Sequence, residues 1–212
     1  MNSPIAFLVP PSPPAERLVF ATREEWLAAR MLDVTASDIG ALLGISPWKS
    51  REALITEKRL GEREPENDAM RRGRILEPAV AKHYQLEHPE AVVEAFGEPA
   101  GGGYVYLRDV DHRLGATLDF IVRIDGSRYA LECKTASPNS FRKNWGGGVP
   151  PEYVTLQAIT QAMVAGLDGA VVACMTGSLY RLELHTWTVP RHAGLETRIK
   201  DAARRFWMEV EG

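Results

Sequence analysis

Hydrophobic and polar positions along this chain follow two different periods, and the changes between them divide it into elements. Thr22 followed by Glu25 forms a capping box, and Trp26, Leu27 and Arg30 continue at helical spacing, which predicts a short first helix. A second helical stretch opens at Thr35 or Ser37 and runs through Ile39, Leu42 and Leu43 to a stop at Gly44; Ser50 caps a third through Leu54 and Ile55. Residues 61–68 read as a polar loop. Helical spacing returns from Asp68 to Glu87, where Pro78 is expected to kink the helix or divide it at Glu77, because proline lacks the backbone donor. The pattern then becomes strand-like over Val92–Phe96, Tyr104–Val110, Leu114–Ile124 and Arg128–Lys134, which are rich in β-branched and aromatic residues and separated by Gly, Asp or Pro. An antiparallel meander is the natural reading. Pro150 and Pro151 open a further helix to about Gly166, and strands at 169–175 and 179–188 precede a C-terminal helix from about residue 191.

Pro4, Pro10, Pro11, Pro13 and Pro14 exclude a helix interior or central strand from residues 1–16, leaving an extended arm. With 212 residues the chain supplies one well-covered core and too little for two, so the expectation is a single α/β domain over residues 1–212.

Composition narrows the function more than the fold. At 45% hydrophobic and 25% charged residues the chain is an ordinary folding sequence. It has no apolar run of about 18 residues and no secretory signal pattern, so a cytoplasmic protein without membrane attachment is expected. Cys133 and Cys174 lack neighbouring cysteine partners and read as free thiols, too few for an iron-sulfur cluster. A net charge of −3 excludes attraction of nucleic acid by the whole surface, so any DNA site must be local: Lys49 with Arg51, the run Arg71, Arg72 and Arg74, or Arg142 with Lys143. His83, His88, His112, His185 and His192 show no zinc spacing. No Lys-Ser/Thr follows Gly146-Gly147-Gly148, so that loop is a flexible connector near DNA rather than a phosphate cradle.

The most informative dipeptide is Asp125-Gly126, suited to a two-residue type I′ turn in which both central residues take positive φ. If residue 124 pairs with 127, Asp119 falls opposite Glu132. Like charges at that separation repel, and a divalent cation resolves the conflict; magnesium takes one or two carboxylates and keeps water and substrate phosphate in its other positions. Lys134, two residues after Glu132, shares its face and stands beside the proposed metal, while Leu131 and Cys133 alternate to the opposite, buried face. A longer loop would shift this register.

Asp119 followed by Glu132-Cys133-Lys134 resembles the bipartite motif of PD-(D/E)xK nucleases, whose fold is a restriction-endonuclease-like core: a central mixed sheet with a catalytic antiparallel hairpin, flanked by helices. Three further blocks are similar to one branch, the lambda exonuclease and YqaJ-like recombinase family. They are Arg30-Met-Leu-Asp-Val-Thr-Ala-Ser37 continuing to Ser50, Met70-Arg-Arg-Gly-Arg-Ile-Leu-Glu77-Pro78, and Tyr153-Val-Thr-Leu-Gln157-Ala-Ile-Thr-Gln161-Ala-Met163. Order and spacing agree over about residues 23–167.

The resemblance implies that Asp119, Glu132 and the backbone carbonyl of Cys133 bind Mg²⁺, with Mn²⁺ able to substitute. Glu77 would add a carboxylate through metal or water, Lys134 would assist the attacking water, and Gln157 would position that lysine or the metal site. Arg30 and Ser37 would grip a 5′-phosphate and Met70 would wedge between bases; Arg142, from its basic run rather than from the resemblance, is a further candidate DNA contact. It further implies a processive 5′-to-3′ exonuclease on double-stranded DNA ends, a ring-shaped homotrimer, a single-strand annealing partner and a role in phage-type recombination. Two alternatives stay open: a structure-specific or restriction-type endonuclease on the same fold, and a non-catalytic DNA-end or protein-binding module.

Overall fold

The computed structural model describes residues 15–63, 65–97, 103–146, 148–178 and 180–212. Two sheets organise them. The smaller takes the order β1-β4-β5-β2, from β1 (Glu16–Phe20), β2 (Val34–Thr35), β4 (Tyr104–Asp109) and β5 (Leu114–Ala116). The larger takes the order β3-β6-β7-β8-β9, from β3 (Val92–Ala95), β6 (Phe120–Ile124), β7 (Ser127–Ala136), β8 (Gly169–Gly177) and β9 (Leu182–Pro190).

This replaces the expected meander. The run Leu114–Ile124 is not one strand: it ends in the small sheet at Ala116, crosses at 117–119 and re-enters the large sheet at Phe120. β3 pairs antiparallel with β6, not with its sequence neighbour β4, and β7 pairs parallel with β8. The mixed α/β class itself holds, with helices on both faces of a mixed sheet.

The hairpin forms as the turn dipeptide demands. Asp125 and Gly126 take φ of 49° and 83°, and Ile124 pairs with Ser127, a register that continues to Phe120 opposite Leu131. β7 is a central strand, so both its faces are covered. On one, Leu131 and Cys133 pack with Phe120 and Val122 against Val80, Ala81 and Tyr84 of α4 (Asp68–Glu87). On the other, Ala130 joins Val172 and Cys174 beneath Ala158, Ala162 and Met163 of α6 (Glu152–Ala165). The strand face that carries Glu132, expected to be the polar one opposite the buried face, is therefore covered as well; Glu132 is 1% exposed. β8 reads as an almost unbroken apolar run because it too is buried on both faces.

The helix caps behave as their chemistry requires. Thr22 and Glu25 close the capping box of α1 (Arg23–Met31), and Ser50 accepts from Ala53 N to open α3 (Arg51–Leu60). The helix expected from Thr35 or Ser37 is shorter: Thr35 lies in β2, a 3₁₀ turn covers Ala36–Asp38, and α2 spans only Ile39–Leu42. α4 continues through Pro78 as one helix, so of the kink or division expected there the division does not occur; its packing against the sheet outweighs the single ladder bond that proline removes. A helix not anticipated from the sequence, α5 (Pro138–Asn144), follows β7, opened by Ser137 accepting from Ser140 N and by Pro138 in its first turn. α7 (Ala193–Glu211) closes the chain. Of the proline-rich arm, residues 1–14 lie outside the described residues, and Glu16 already belongs to β1.

Candidate active site

The crossing at 117–119 leaves a cleft of about 710 Å³ between the two sheets, walled on one side by α1 and the 3₁₀ turn and on the other by α4 and α6. Asp119 stands one residue before β6, where the ladder has ended. Its carboxylate is held by the backbone amide of Cys133, with Oδ2 accepting at 3.0 Å. That bond ties it to the strand that carries Glu132 and Lys134.

Glu132 points toward α6. Its Oε1 accepts from Gln157 Nε2 at 2.8 Å and its Oε2 from Gln161 Nε2 at 2.6 Å. The Lys134 ammonium forms an ion pair with Glu132 Oε1 and donates to Gln157 Oε1 at 3.4 Å. Gln157 thus hydrogen-bonds both the lysine and the carboxylate. Gln161, one helical turn further, also donates to the Thr117 carbonyl at 3.2 Å.

The electrostatics of this cluster are those of crowded acids. Burial raises the Asp119 carboxyl well above its ordinary value, and neighbouring Glu132 and Glu77 raise it further. Glu77, on α4, is raised by burial and then by Glu132. Burial alone would lower the Lys134 ammonium, but Glu132 and Asp119 outweigh it and hold it above the usual lysine value. Lys134 is therefore firmly charged, suited to stabilising an anion or orienting water. Among the described residues no group of three or more His, Cys, Asp or Glu side chains forms a ready-made metal cage. A hard divalent cation nonetheless fits the donor chemistry: mutually repelling carboxylates beside an open cleft, with few enough protein ligands to leave room for water and phosphate.

Arg30 occupies the opposite wall. Its guanidinium lies 4.4 Å from the Trp26 ring centroid and donates through Nη1 to Thr117 Oγ1 at 3.2 Å and through Nη2 to Ser37 Oγ at 3.3 Å. Among the described residues its buried Nε has no hydrogen-bond partner. Burial, then the nearby Arg63, lowers its pKa to about 10, so it remains cationic at neutral pH. A half-buried cation with an unused donor beside a cleft is an anion-binding arrangement. Met70, 46% exposed, and Arg74 line the same cleft from the first turns of α4.

Arg142 is not brought to this place. It sits on α5, hydrogen-bonded to Asn139, and is not among the residues lining the cleft. Of the glycine-rich loop, residue 147 lies outside the described residues; Gly146 and Gly148 do not line the cleft, and the Gly148 carbonyl accepts from Trp187 Nε1 at 2.6 Å. The sequence motifs give no role to Thr117 or Gln161. The i,i+4 spacing from Gln157 is a usable signal for Gln161; nothing local marks Thr117, whose hydroxyl also accepts from Trp26 Nε1 at 3.2 Å.

This fold has close counterparts among solved exonucleases. The alkaline exonuclease LHK-Exo from Laribacter hongkongensis superposes with a TM-score of 0.69 at 24% identity, covering 89% of this chain and 92% of that one; its crystal complex with dAMP gives the same TM-score at 23% identity. A phage-related exonuclease from Haemophilus somnus 129PT superposes at 0.56 with 12% identity, covering 84% and 95%. The architecture is thus the mixed α/β fold of alkaline exonucleases, consistent with a restriction-endonuclease-like core.

The chain belongs to the YqaJ-like viral recombinase domain family, which it matches over residues 25–168. YqaJ of Bacillus subtilis (strain 168), itself described as uncharacterized, is 26% identical over 136 residues, and the match spans 63% of this chain but 40% of that relative. Among the described residues no helix is long and apolar enough to cross a membrane.

Proposed function

We propose that this protein is a magnesium-dependent exonuclease that degrades one strand of linear double-stranded DNA from a phosphorylated 5′ end, in phage-type recombination. The observation that carries this reading is one cleft lined on one side by two acids, Asp119 and Glu77, beside the Glu132–Lys134 ion pair, and on the other by a half-buried cation with an unused donor, Arg30. The family membership and the exonuclease names of the structural counterparts support it.

Asp119 and Glu132, with the Cys133 backbone carbonyl, would hold the cation, and Glu77 would act through it or through its water. Bound there, magnesium supplies Lewis acidity, an activated water and support for the leaving 3′-oxygen. The chain's own residues do the rest. Gln157 and Gln161 fix the Glu132 carboxylate, Lys134 orients the attacking water and offsets charge building on the phosphate, and Arg30 anchors the terminal phosphate through its guanidinium. Met70, at the mouth, would meet the bases.

Digestion of one plasmid in closed circular and linear forms, with magnesium or with chelator, tests the reading. Loss of linear DNA alone, faster from a 5′-phosphorylated end and abolished by chelation, is the expected result. Cleavage of the closed circle would favour the endonuclease alternative, and no cleavage of either form would favour a binding module. A homotrimer and a single-strand annealing partner belong to the same proposal; light scattering on the purified chain, alone and with such a protein, tests both.

A further inference from the structure

Behind the Arg30 wall lies a charged network that the proposed chemistry does not use. Asp38, its side chain 12% exposed, lies 3.6 Å from both Lys58 Nζ and Lys49 Nζ. Lys58, only 1% exposed, also donates to the Arg30 carbonyl at 3.1 Å, and Lys49 is neutralised on its far side by Glu57 at 2.6 Å. Asp38 Oδ2 in turn accepts from the Thr35 amide at 3.2 Å and the Thr35 hydroxyl at 2.7 Å. Two lysines and two donors keep this carboxylate ionised.

An ionised carboxylate only accepts, and that settles the direction of every bond downstream. The Thr35 proton goes to Asp38. The 2.9 Å contact between Thr35 Oγ1 and Ser37 Oγ must then be donated by Ser37, whose single proton is thereby consumed. Ser37 is left with lone pairs, and one of them receives Arg30 Nη2. Nη1 and Nη2 each spend one of their two N–H donors, on Thr117 and Ser37, and Nε, without a partner among the described residues, is a further donor to spare.

We propose that Asp38, acting through Thr35, is a positioning residue that sets the hydrogen-bond polarity of the Arg30–Ser37 pair and so the preference for a phosphate at the DNA end. Ser37 serves Arg30 as an acceptor while its own proton goes to Thr35. The proposal rests on the end-binding reading given above, and neither Asp38 nor Thr35 needs to touch DNA.

The test compares kcat/KM on linear duplexes carrying a 5′-phosphate and a 5′-hydroxyl, and reads their ratio. Thr35→Val is the informative variant: it keeps the β-branched shape in β2 while removing the hydroxyl link, whereas Asp38→Ala would strand Lys58 without its counter-ion. The ratio is expected to fall about tenfold in Thr35→Val, the scale of one hydrogen bond to a charged group, and to return in Thr35→Ser. General loss of packing would slow both substrates together and leave the ratio alone. A wild-type ratio above one that Thr35→Val retains would overturn the role of Asp38. So would a ratio that falls in Thr35→Val and stays low in Thr35→Ser. A wild-type ratio of one would overturn the end-binding reading itself.

Discussion

The backbone amide of Cys133 donates to the Asp119 carboxylate across 3.0 Å, joining the last residue of the inter-sheet crossing to the buried middle of β7. That single bond holds an acid in place where the ladder has already stopped, one residue beyond the Phe120–Leu131 pair. Burial and two nearby carboxylates oppose its ionisation, and acids perturbed in this way cluster at functional sites.

Replacing Asp119 by Asn should therefore separate activity from stability. A bound cation contributes several kcal/mol of charge stabilisation in the transition state, so cleavage of linear duplex is expected to drop roughly 10³-fold. Without metal the melting temperature should not fall, because the substitution relieves repulsion among buried acids. Magnesium should raise the melting temperature of the wild type and leave that of the variant unchanged. Full activity in Asp119→Asn, or an equal magnesium shift in both proteins, would remove Asp119 from the site.

Gln161 offers a test of the support beneath the carboxylates. Its side chain is 2% exposed and bridges Glu132 to the Thr117 carbonyl, so Gln161→Leu leaves Glu132 with only Gln157 and Lys134. Residues that orient a metal ligand cost about 10- to 100-fold in affinity or activity when lost. The expected result is a fall of that size in kcat together with a higher magnesium concentration at half-maximal rate. Activity within about twofold of wild type would show that Gln157 suffices.

How far this site can be read from residues alone depends on the range of the interactions involved. The hairpin is legible because Asp125-Gly126 sets its register within a few residues, and Asp119, Glu132 and Lys134 come with it. The caps at Thr22 and Ser50 are legible for the same reason. Glu77, Gln157, Arg30 and Ser37 come only through the family resemblance. The break after Ala116 is not legible: Leu114–Ile124 carries strand-forming residues throughout, and only tertiary pairing decides that its halves join different sheets. Burial of Glu132 is hidden too, because its cover, α6, arrives some twenty residues later and bridges a parallel pair that no local pattern announces. Asp38 looks like any cap residue until the fold brings Lys49 and Lys58 to it.

Gly115 is a packing requirement rather than a turn. It pairs with Thr35 in the small sheet, and a Cβ built there would stand 1.7 Å from the Tyr106 hydroxyl oxygen. Tyr106 is fully buried and cannot swing away, since that hydroxyl donates to Asp33 at 3.1 Å and Asp33 in turn pairs with Arg108 at 2.9 Å. Gly115→Ala is expected to cost about 1–3 kcal/mol, the usual range for overpacking. It should appear as a lower urea midpoint at unchanged slope. A midpoint equal to wild type would mean the Tyr106–Asp33 pair yields more easily than its burial implies.

The pH dependence of stability should carry the signature of Asp38. Burial by itself would raise its carboxyl, but Lys58, Lys49, the Thr35 hydroxyl and Arg30 outweigh burial and leave it below the ordinary value of 3.8. An acid whose folded pKa is depressed adds stability that is complete above its unfolded pKa and is lost as the pH falls through the folded one. Asp38→Asn, which has no such proton to bind, should therefore be less stable than wild type by about 3 kcal/mol above pH 5, the scale of a broken buried ion pair. The gap should hold steady toward neutrality and narrow only as the pH drops below 3.8. Denaturant melts of both proteins at a series of pH values measure it. A gap that instead widened toward acid would place the folded pKa above the unfolded one, and Asp38 would then be a carboxyl its two lysines fail to hold ionised.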